Sequence, residues 1–157
     1  MSQFIGEFEC KIDDKGRMLL PAGLRKQLSP AAQEKFVVTR GFESCITLYP
    51  MDEWQVISAA VNKLNRFDKK NREFLRYFYR GATELELDAT GRLLFPKQLL
   101  QYASIERQLV LSAYSNMIEV WNPQKFEAQI TDEPENFADL AQEVMGKINL
   151  DGTRNLP

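Results

Sequence analysis

The chain has 157 residues, 44% of them hydrophobic and 27% charged, with a formal net charge of −2. That length and mixture suit a globular protein with a real core, and no apolar run approaches the roughly 20 residues of a membrane-spanning helix. There is no histidine, and Cys10 and Cys45 are the only cysteines, which removes the commonest general base and leaves no zinc-ligand pattern.

In chain order, Phe4, Gly6, Phe8, Cys10 and Ile12 alternate, which predicts a strand over 4–12. Residues 17–20 are expected to pair back onto it, buried by the run Met18-Leu19-Leu20. A short helix follows over 21–28, with Leu24 and Leu28 on one face and Pro21 at its first position, where no N–H is required. Residues 29–35 read as a polar loop. Residues 36–40 and 45–49 read as a hairpin around Gly41-Phe42-Glu43-Ser44. Asp52 and Glu53 favour a helix N-terminus, and Trp54, Ile57, Val61 and Leu64 give that helix one apolar face through about residue 65. Asp68 is suited to cap another helix over 67–80. Lys69, Lys70, Arg72, Arg76 and Arg80 crowd this helix with positive charge, while Phe74, Leu75, Phe78 and Tyr79 supply an apolar face. Such a helix can lie on nucleic acid. Its place at the join between two similar halves favours a structural role, with a subunit contact as one option. Cys10 and Cys45 both fall in strands and read as free, mostly buried residues.

The second half follows the same order. Strands are expected near 82–87 and 92–95, a helix over 96–103, with Pro96 at its first position, strands near 108–113 and 116–121, and a helix starting near Pro123. Residues 129–136 interrupt the pattern with Thr131, Pro134 and several acids. Phe137, Leu140, Ala141, Val144 and Ile148 then fall at helical spacing, and 149–157 reads as a frayed end.

The similarity of the halves is literal. Asp13-Asp14-Lys15-Gly16-Arg17-Met18-Leu19-Leu20-Pro21 returns as Asp88-Ala89-Thr90-Gly91-Arg92-Leu93-Leu94-Phe95-Pro96. Leu24 matches Leu99. After a three-residue deletion in one loop, Val37 matches Leu109, Ile46 matches Ile118, Leu48 matches Val120, Tyr49 matches Trp121 and Trp54 matches Phe126. This is a duplication of one supersecondary unit. It divides the chain into a first repeat with connecting helices (4–80), a second repeat (81–130) and an acidic tail with a short amphipathic helix (131–157).

Each part of the repeated nonamer has a physical reading. Asp13 and Asp88 can accept bonds from the backbone N–H groups of the turn they open. Gly16 and Gly91 suit a position with φ > 0. Arg17 and Arg92 open the next strand, four residues after a carboxylate. One reading is a hairpin whose Asp and Arg brace the loop; the other is a loop built to offer an arginine. Charge distribution favours the second for the first half: residues 1–80 carry 14 Lys/Arg against 10 Asp/Glu, whereas residues 81–157 carry 6 against 12. Lys11, Lys15 and Arg25 lie near Arg17 in sequence. No P-loop, dinucleotide-binding glycine pattern or nucleophile elbow is present. An Asp13/Asp14 carboxylate pair is not what the repeat keeps, because Asp88 is followed by Ala89, and the alternating acids of a calcium loop are missing. The expectation is a protein that is not an enzyme and that uses neither cofactor nor metal.

These residues resemble the MraZ family, within the AbrB-like, SpoVT-type swapped-hairpin class of DNA-binding folds. The resemblance rests on the paired motifs Asp13-x-x-x-Arg17 and Asp88-x-x-x-Arg92, on Leu48-Tyr49-Pro50, on Glu53-Trp54 and on Arg80-Gly81-Ala82, and covers roughly residues 3–130. It implies an α+β, mainly β, fold in which tandem AbrB-like repeats form a swapped-hairpin barrel with flanking helices. It also implies cytoplasmic, nucleoid-associated subunits joined in a ring, binding direct repeats of double-stranded DNA in the promoter of the division and cell-wall gene cluster. Arg17 and Arg92 would be the motif arginines, and Asp13 and Asp88 the carboxylates that support them. Arg17 could bond a guanine edge while Lys15, Lys11 and Arg25 meet phosphates. The second loop, Ala89-Thr90, lacks the basic or amide residues often seen there. With the acidic balance of that half, this points to the first repeat as the DNA face. The alternative function is an antitoxin-like protein-binding module of the same fold, in which Phe137, Leu140 and Val144 of the acidic tail engage a protein partner.

Overall fold

The computed structural model describes residues 3–131 and 137–146. The elements in order are β1 (Phe4–Lys11), β2 (Arg17–Leu19), α1 (Ala22–Arg25), β3 (Lys35–Arg40), β4 (Ile46–Pro50), α2 (Met51–Val61), α3 (Lys69–Tyr79), β5 (Thr83–Glu86), β6 (Arg92–Leu94), α4 (Lys97–Tyr102), β7 (Gln108–Ser115), β8 (Met117–Trp121), α5 (Pro123–Thr131) and α6 (Phe137–Met145). This is a mixed α+β fold with two sheets. One has six antiparallel strands in the order β1-β7-β8-β4-β3-β5, and the other is the ribbon β2-β6. One unit runs through Lys125 and holds both sheets; a second begins at Phe126 and carries α6. No helix among the described residues is long and apolar enough to cross a membrane.

The strand partners correct the expected hairpins. Residues 4–12 do not pair along 17–20, nor 82–87 along 92–95. β1 pairs with β7 of the other half, from Phe4 opposite Ser115 to Lys11 opposite Gln108. β5 pairs with β3, and β2 with β6. All that remains of the first hairpin is an isolated bridge from Ile12 to Met18 and the bonds of the turn itself. The physical reason lies in the short strands. Arg-Met-Leu and Arg-Leu-Leu each have one inward residue, Met18 and Leu93. Register places these two opposite each other, both with no exposed surface. Pairing across the halves therefore buries both at once, and the long β1 is left to build its full ladder with β7.

The core follows the alternation of the long strands. Phe36 and Val38, Ile46 and Leu48, Leu109, Leu111 and Ala113, and Ile118 and Val120 join Met18, Leu24, Leu93, Phe95 and Leu99 in one buried cluster. Leu19 departs from its expected burial: it is 53% exposed, as is its counterpart Leu94 at 56%. Period-two geometry sends both to the ribbon face that Met18 and Leu93 do not use.

The helices differ from expectation at their ends. Pro21 and Pro96 are N-caps rather than first helical residues, with extended ψ values of 138° and 136°. α1 is only four residues long, and Ser29 caps a 3-10 turn over Pro30–Ala32 in the expected loop. The Gln27 side chain explains part of this. It bonds the Ile5 backbone, accepting from its N–H (3.0 Å) and donating to its carbonyl (3.2 Å), so the chain after α1 is tied to β1 instead of continuing as helix. α2 stops at Val61, short of 65, with Asp52 and Glu53 in its first turn. Asp68 caps α3, accepting from the Lys70 N–H at 2.9 Å.

Of the expected apolar face of α3, Phe78 and Tyr79 pack against α2, whereas Phe74 is 40% exposed. Trp54 of α2 stacks on Phe78 at 5.5 Å and meets Tyr79 edge-on at 5.8 Å, while Tyr49 of β4 lies 5.7 Å from Trp54. The Tyr79 hydroxyl also donates to the Asn62 side chain at 2.9 Å. These contacts fix the two connecting helices against the sheet. Of the expected interruption over 129–136, residues 129–131 belong to α5, and 132–136 lie outside the described residues. So do Ile148 and the segment 149–157.

Candidate nucleic-acid interface

The two repeated loops share a frame. In the first, the Asp13 N–H donates to the Arg17 carbonyl (2.9 Å) and the Gly16 N–H to the Asp13 carbonyl (3.0 Å). In the second, Asp88 and Arg92, then Gly91 and Asp88, repeat both bonds at 2.9 Å. Gly16 and Gly91 have φ of +87° and +80°, a conformation that costs a side-chain-bearing residue on the order of 1 kcal/mol or more. Space is short as well. A Cβ on Gly16 would stand 3.2 Å from the Phe95 carbonyl oxygen, and one on Gly91 would stand 2.9 Å from an Arg25 nitrogen. Each glycine carbonyl receives a bond from the other half: Phe95 N–H donates to Gly16 (2.9 Å) and Leu20 N–H donates to Gly91 (3.0 Å). The loops are thereby held at the two ends of one ribbon.

The carboxylates separate the loops. Asp13 Oδ1 accepts from the backbone N–H groups of Lys15 (2.9 Å) and Arg17 (2.8 Å), and Oδ2 accepts from Arg17 Nε (2.9 Å). Arg17 is thus aimed through one edge of its guanidinium, and its side chain remains 42% exposed. Asp88 Oδ1 accepts from the backbone N–H groups of Thr90 (2.8 Å) and Arg92 (3.0 Å), but also from the Thr90 hydroxyl (2.7 Å). The Nε bond of the first loop is not repeated. Thr90 was legible only as a non-basic residue; its hydroxyl adds a third bond to Asp88 Oδ1, while the Arg92 side chain makes none to this carboxylate.

Ribbon register sets the remaining side chains. Arg17 lies opposite Leu94 and Leu19 opposite Arg92, so both arginines and both exposed leucines share the outward face. A shallow groove beside this face is lined by Lys11, Asp13, Arg17, Leu19 and Arg92, among others. The fold therefore brings Arg92, 75 residues beyond Arg17 in the chain, beside Arg17 and Lys11. Lys15 stands exposed in the first loop. Arg25 is placed differently. Its Nε donates to Glu34 at 2.8 Å, its Nη2 bonds the same oxygen, and its other terminal nitrogen lies beside Gly91. Glu34 gave no signal in the sequence beyond opposite charge nine residues away. Asp14 stands 3.8 Å from Arg107, both nearly fully exposed, a pair worth little in water.

Backbone donation from Arg17 is the largest influence on the Asp13 carboxyl; desolvation comes next and opposes it, and the Arg17 side chain, the Lys15 N–H and the Arg17 charge then help to hold the group below the usual carboxylate range. The sign is that of a depressed acid: the loop is fully braced above the ordinary carboxylate pKa and loses its bracing as pH falls through the lowered value. In a pH titration followed by NMR, the Lys15 and Arg17 backbone N–H signals should move together with a midpoint below the ordinary aspartate value of about 3.9. Movement centred at the ordinary value would contradict this geometry. Asp88 is lowered too, first by the Thr90 hydroxyl and then by the Arg92 N–H.

Among the described residues no group of three or more His, Cys, Asp or Glu is placed to hold a metal ion. Both cysteines are free; Cys45 is buried and Cys10 half-buried, and burial pushes their thiols up to about 12 and about 11, so neither is a thiolate at neutral pH.

A family model described as "MraZ protein, putative antitoxin-like" matches this chain twice, over residues 3–77 and 78–147. Proteins named transcriptional regulator MraZ are similar along nearly the whole chain. That of Christiangramia forsetii is 48% identical over 97% of this chain and 99% of its own. That of Flavobacterium psychrophilum is 49% identical over 96% and 97%. That of Cytophaga hutchinsonii is 40% identical over 92% and 96%. With two matched halves whose loops carry Asp13 and Arg17, and Asp88 and Arg92, the chain belongs to the MraZ family.

Proposed function

We propose that this MraZ-family transcriptional regulator acts by binding double-stranded DNA through the loop of its first repeat. The observation that carries the reading is the posture of Arg17: Asp13 grips it at Nε, and among the described residues its two terminal nitrogens make no bond. Such a guanidinium is pre-aimed and still has a donor edge for guanine O6 and N7. Lys11 and Arg92 line the groove beside Arg17 and Lys15 is exposed in the loop, which supports phosphate contacts from these residues. Arg25, already paired with Glu34, is the least available of the basic residues. Asp13 and Asp88 support the loops, and Gly16 and Gly91 permit their turns.

The cross-pairing of β2 with β6 and β1 with β7 is read as tandem AbrB-like repeats closing a swapped-hairpin barrel, with repeats at 4–80 and 81–130 and a tail at 131–157. One loop offers few contacts. Several copies in a homo-oligomeric ring would present them at regular intervals, so that direct repeats in a promoter are bound together and effective concentration raises the affinity. The promoter is that of the division and cell-wall gene cluster, and the setting is the cytoplasm, on the nucleoid.

A second reading rests on the tail. Phe137, Leu140 and Val144 fall at helical spacing in α6, as they would in a helix that engages another protein, in keeping with the antitoxin-like description of the family. Removing residues 131–157 separates the two. Under the DNA reading, the truncated protein protects the same repeats in a footprint of the DNA upstream of its own gene. Loss of all protection by a folded truncated protein would count against it.

A further inference from the structure

A second basic groove shares no lining residue with the one beside the ribbon. Arg40 at the end of β3, Arg80 at the C-cap of α3, Gly81, and Gln98, Gln101 and Tyr102 of α4 line a groove of about 470 Å3. Among the described residues no carboxylate lines it. Arg40 is half-buried, and its guanidinium carbon sits 4.2 Å from the centre of the Tyr102 ring. The Tyr102 hydroxyl donates to the Glu43 carbonyl at 3.2 Å, which holds the ring in place. Stacking occupies the flat face of the guanidinium and leaves its N–H edge for a ligand. Arg17, Arg25 and Arg107 face carboxylates, whereas among the described residues Arg40 and Arg80 pair with none. Arg80 also ends the basic run of Lys69, Lys70, Arg72 and Arg76 along α3.

Two unpaired guanidiniums and two side-chain amides gathered in one concavity present many donors and a local excess of positive charge. The chemistry that satisfies such a set is an oxyanion with several acceptor oxygens. Tyr102 has already ordered Arg40, so part of the entropy cost of binding is removed. We infer that the groove lined by Arg40, Arg80, Gln98 and Gln101 is a phosphate-binding surface distinct from the Arg17 loop. Two sources offer that group: the backbone of DNA that extends past the loop, which rests on the DNA reading above, and a free phosphate, which does not.

The test uses the full-length protein and two probes. Inorganic phosphate is titrated while the arginine Nε–H signals are followed by NMR. Upstream and scrambled DNA are then titrated at several salt concentrations against wild type, Arg40→Gln and Arg80→Gln. Phosphate should move the Arg40 and Arg80 signals and leave that of the exposed Arg66 in place. If DNA is the source, each variant weakens upstream and scrambled DNA by the same factor and lowers the salt slope by about one, with the preference between the DNAs unchanged. If free phosphate is the source, the signals move and the DNA curves of the variants match wild type. Stationary Arg40 and Arg80 signals with wild-type salt slopes would overturn the inference, as would equal shifts at all arginines. Arg80→Gln alters an exposed side chain and keeps the test valid should Arg40→Gln disturb folding. Equal wild-type affinity for the two DNAs would count against the regulator reading without touching the phosphate result.

Discussion

Replacing Arg17 with alanine should remove the preference for upstream DNA while leaving the fold intact. The side chain is 42% exposed and its structural bond is to Asp13, itself at the surface, so its loss leaves no buried group unpaired. What disappears is the aimed guanidinium. A bidentate arginine–guanine pair is worth about 1–3 kcal/mol of discrimination, or roughly 5–150-fold in affinity for each loop engaged. In a ring the losses multiply over the loops that act together. Arg92→Ala should cost less, because the Arg92 side chain, unlike that of Arg17, is not braced by its motif carboxylate and the second half is acidic. Competition binding with both variants checks this. A silent Arg17→Ala beside a damaging Arg92→Ala would move the DNA face to the second repeat.

The substitution Leu93→Ala should unfold the two halves together. Leu93 has no exposed surface and lies opposite Met18, which has none either. Removing a buried leucine side chain costs about 2–5 kcal/mol, a large part of the 5–15 kcal/mol that holds an ordinary domain. Because β6 pairs with β2 and β1 with β7, the loss cannot stay in the second half. Urea unfolding followed through circular dichroism and through tryptophan fluorescence should give coincident transitions, both shifted to lower denaturant. A variant in which Trp54 in the first half reports wild-type stability while the second half melts early would contradict the cross-paired arrangement.

The contrast between loops and strands marks how far the sequence could be read. Asp13, Gly16 and Arg17 act within five residues, so their bonds are local and the residue types alone specify them. The turn, the positive φ and the Asp–Arg pairing were therefore legible. Strand partners are not local. Alternation in Phe4–Lys11 tells which side chains point inward, but any strand with a complementary face would satisfy it, so nothing in that run selects β7 over β2. The same limit hid the exposure of Leu19: a run of three apolar residues reads as burial until the ribbon geometry sends the middle and outer ones to opposite faces. Thr90 and Glu34 were missed because each acts through a partner whose approach depends on local side-chain geometry or on a long loop. The helix ends moved for a similar reason, since the Gln27 bonds to β1 are tertiary. The site was legible as a set of motif residues, but not as one surface. Only the pairing of β2 with β6 brings Arg92 into the groove beside Lys11 and Arg17.

We propose that an Asp-braced arginine loop reads DNA. Its most direct test is a fluorescence-anisotropy titration of wild-type protein with DNA from upstream of its own gene and with a scrambled duplex, at two salt concentrations. Tighter binding of the upstream DNA, with both affinities falling as salt rises, is the predicted result. Equal binding of the two duplexes, or none, by folded and oligomeric protein would contradict it.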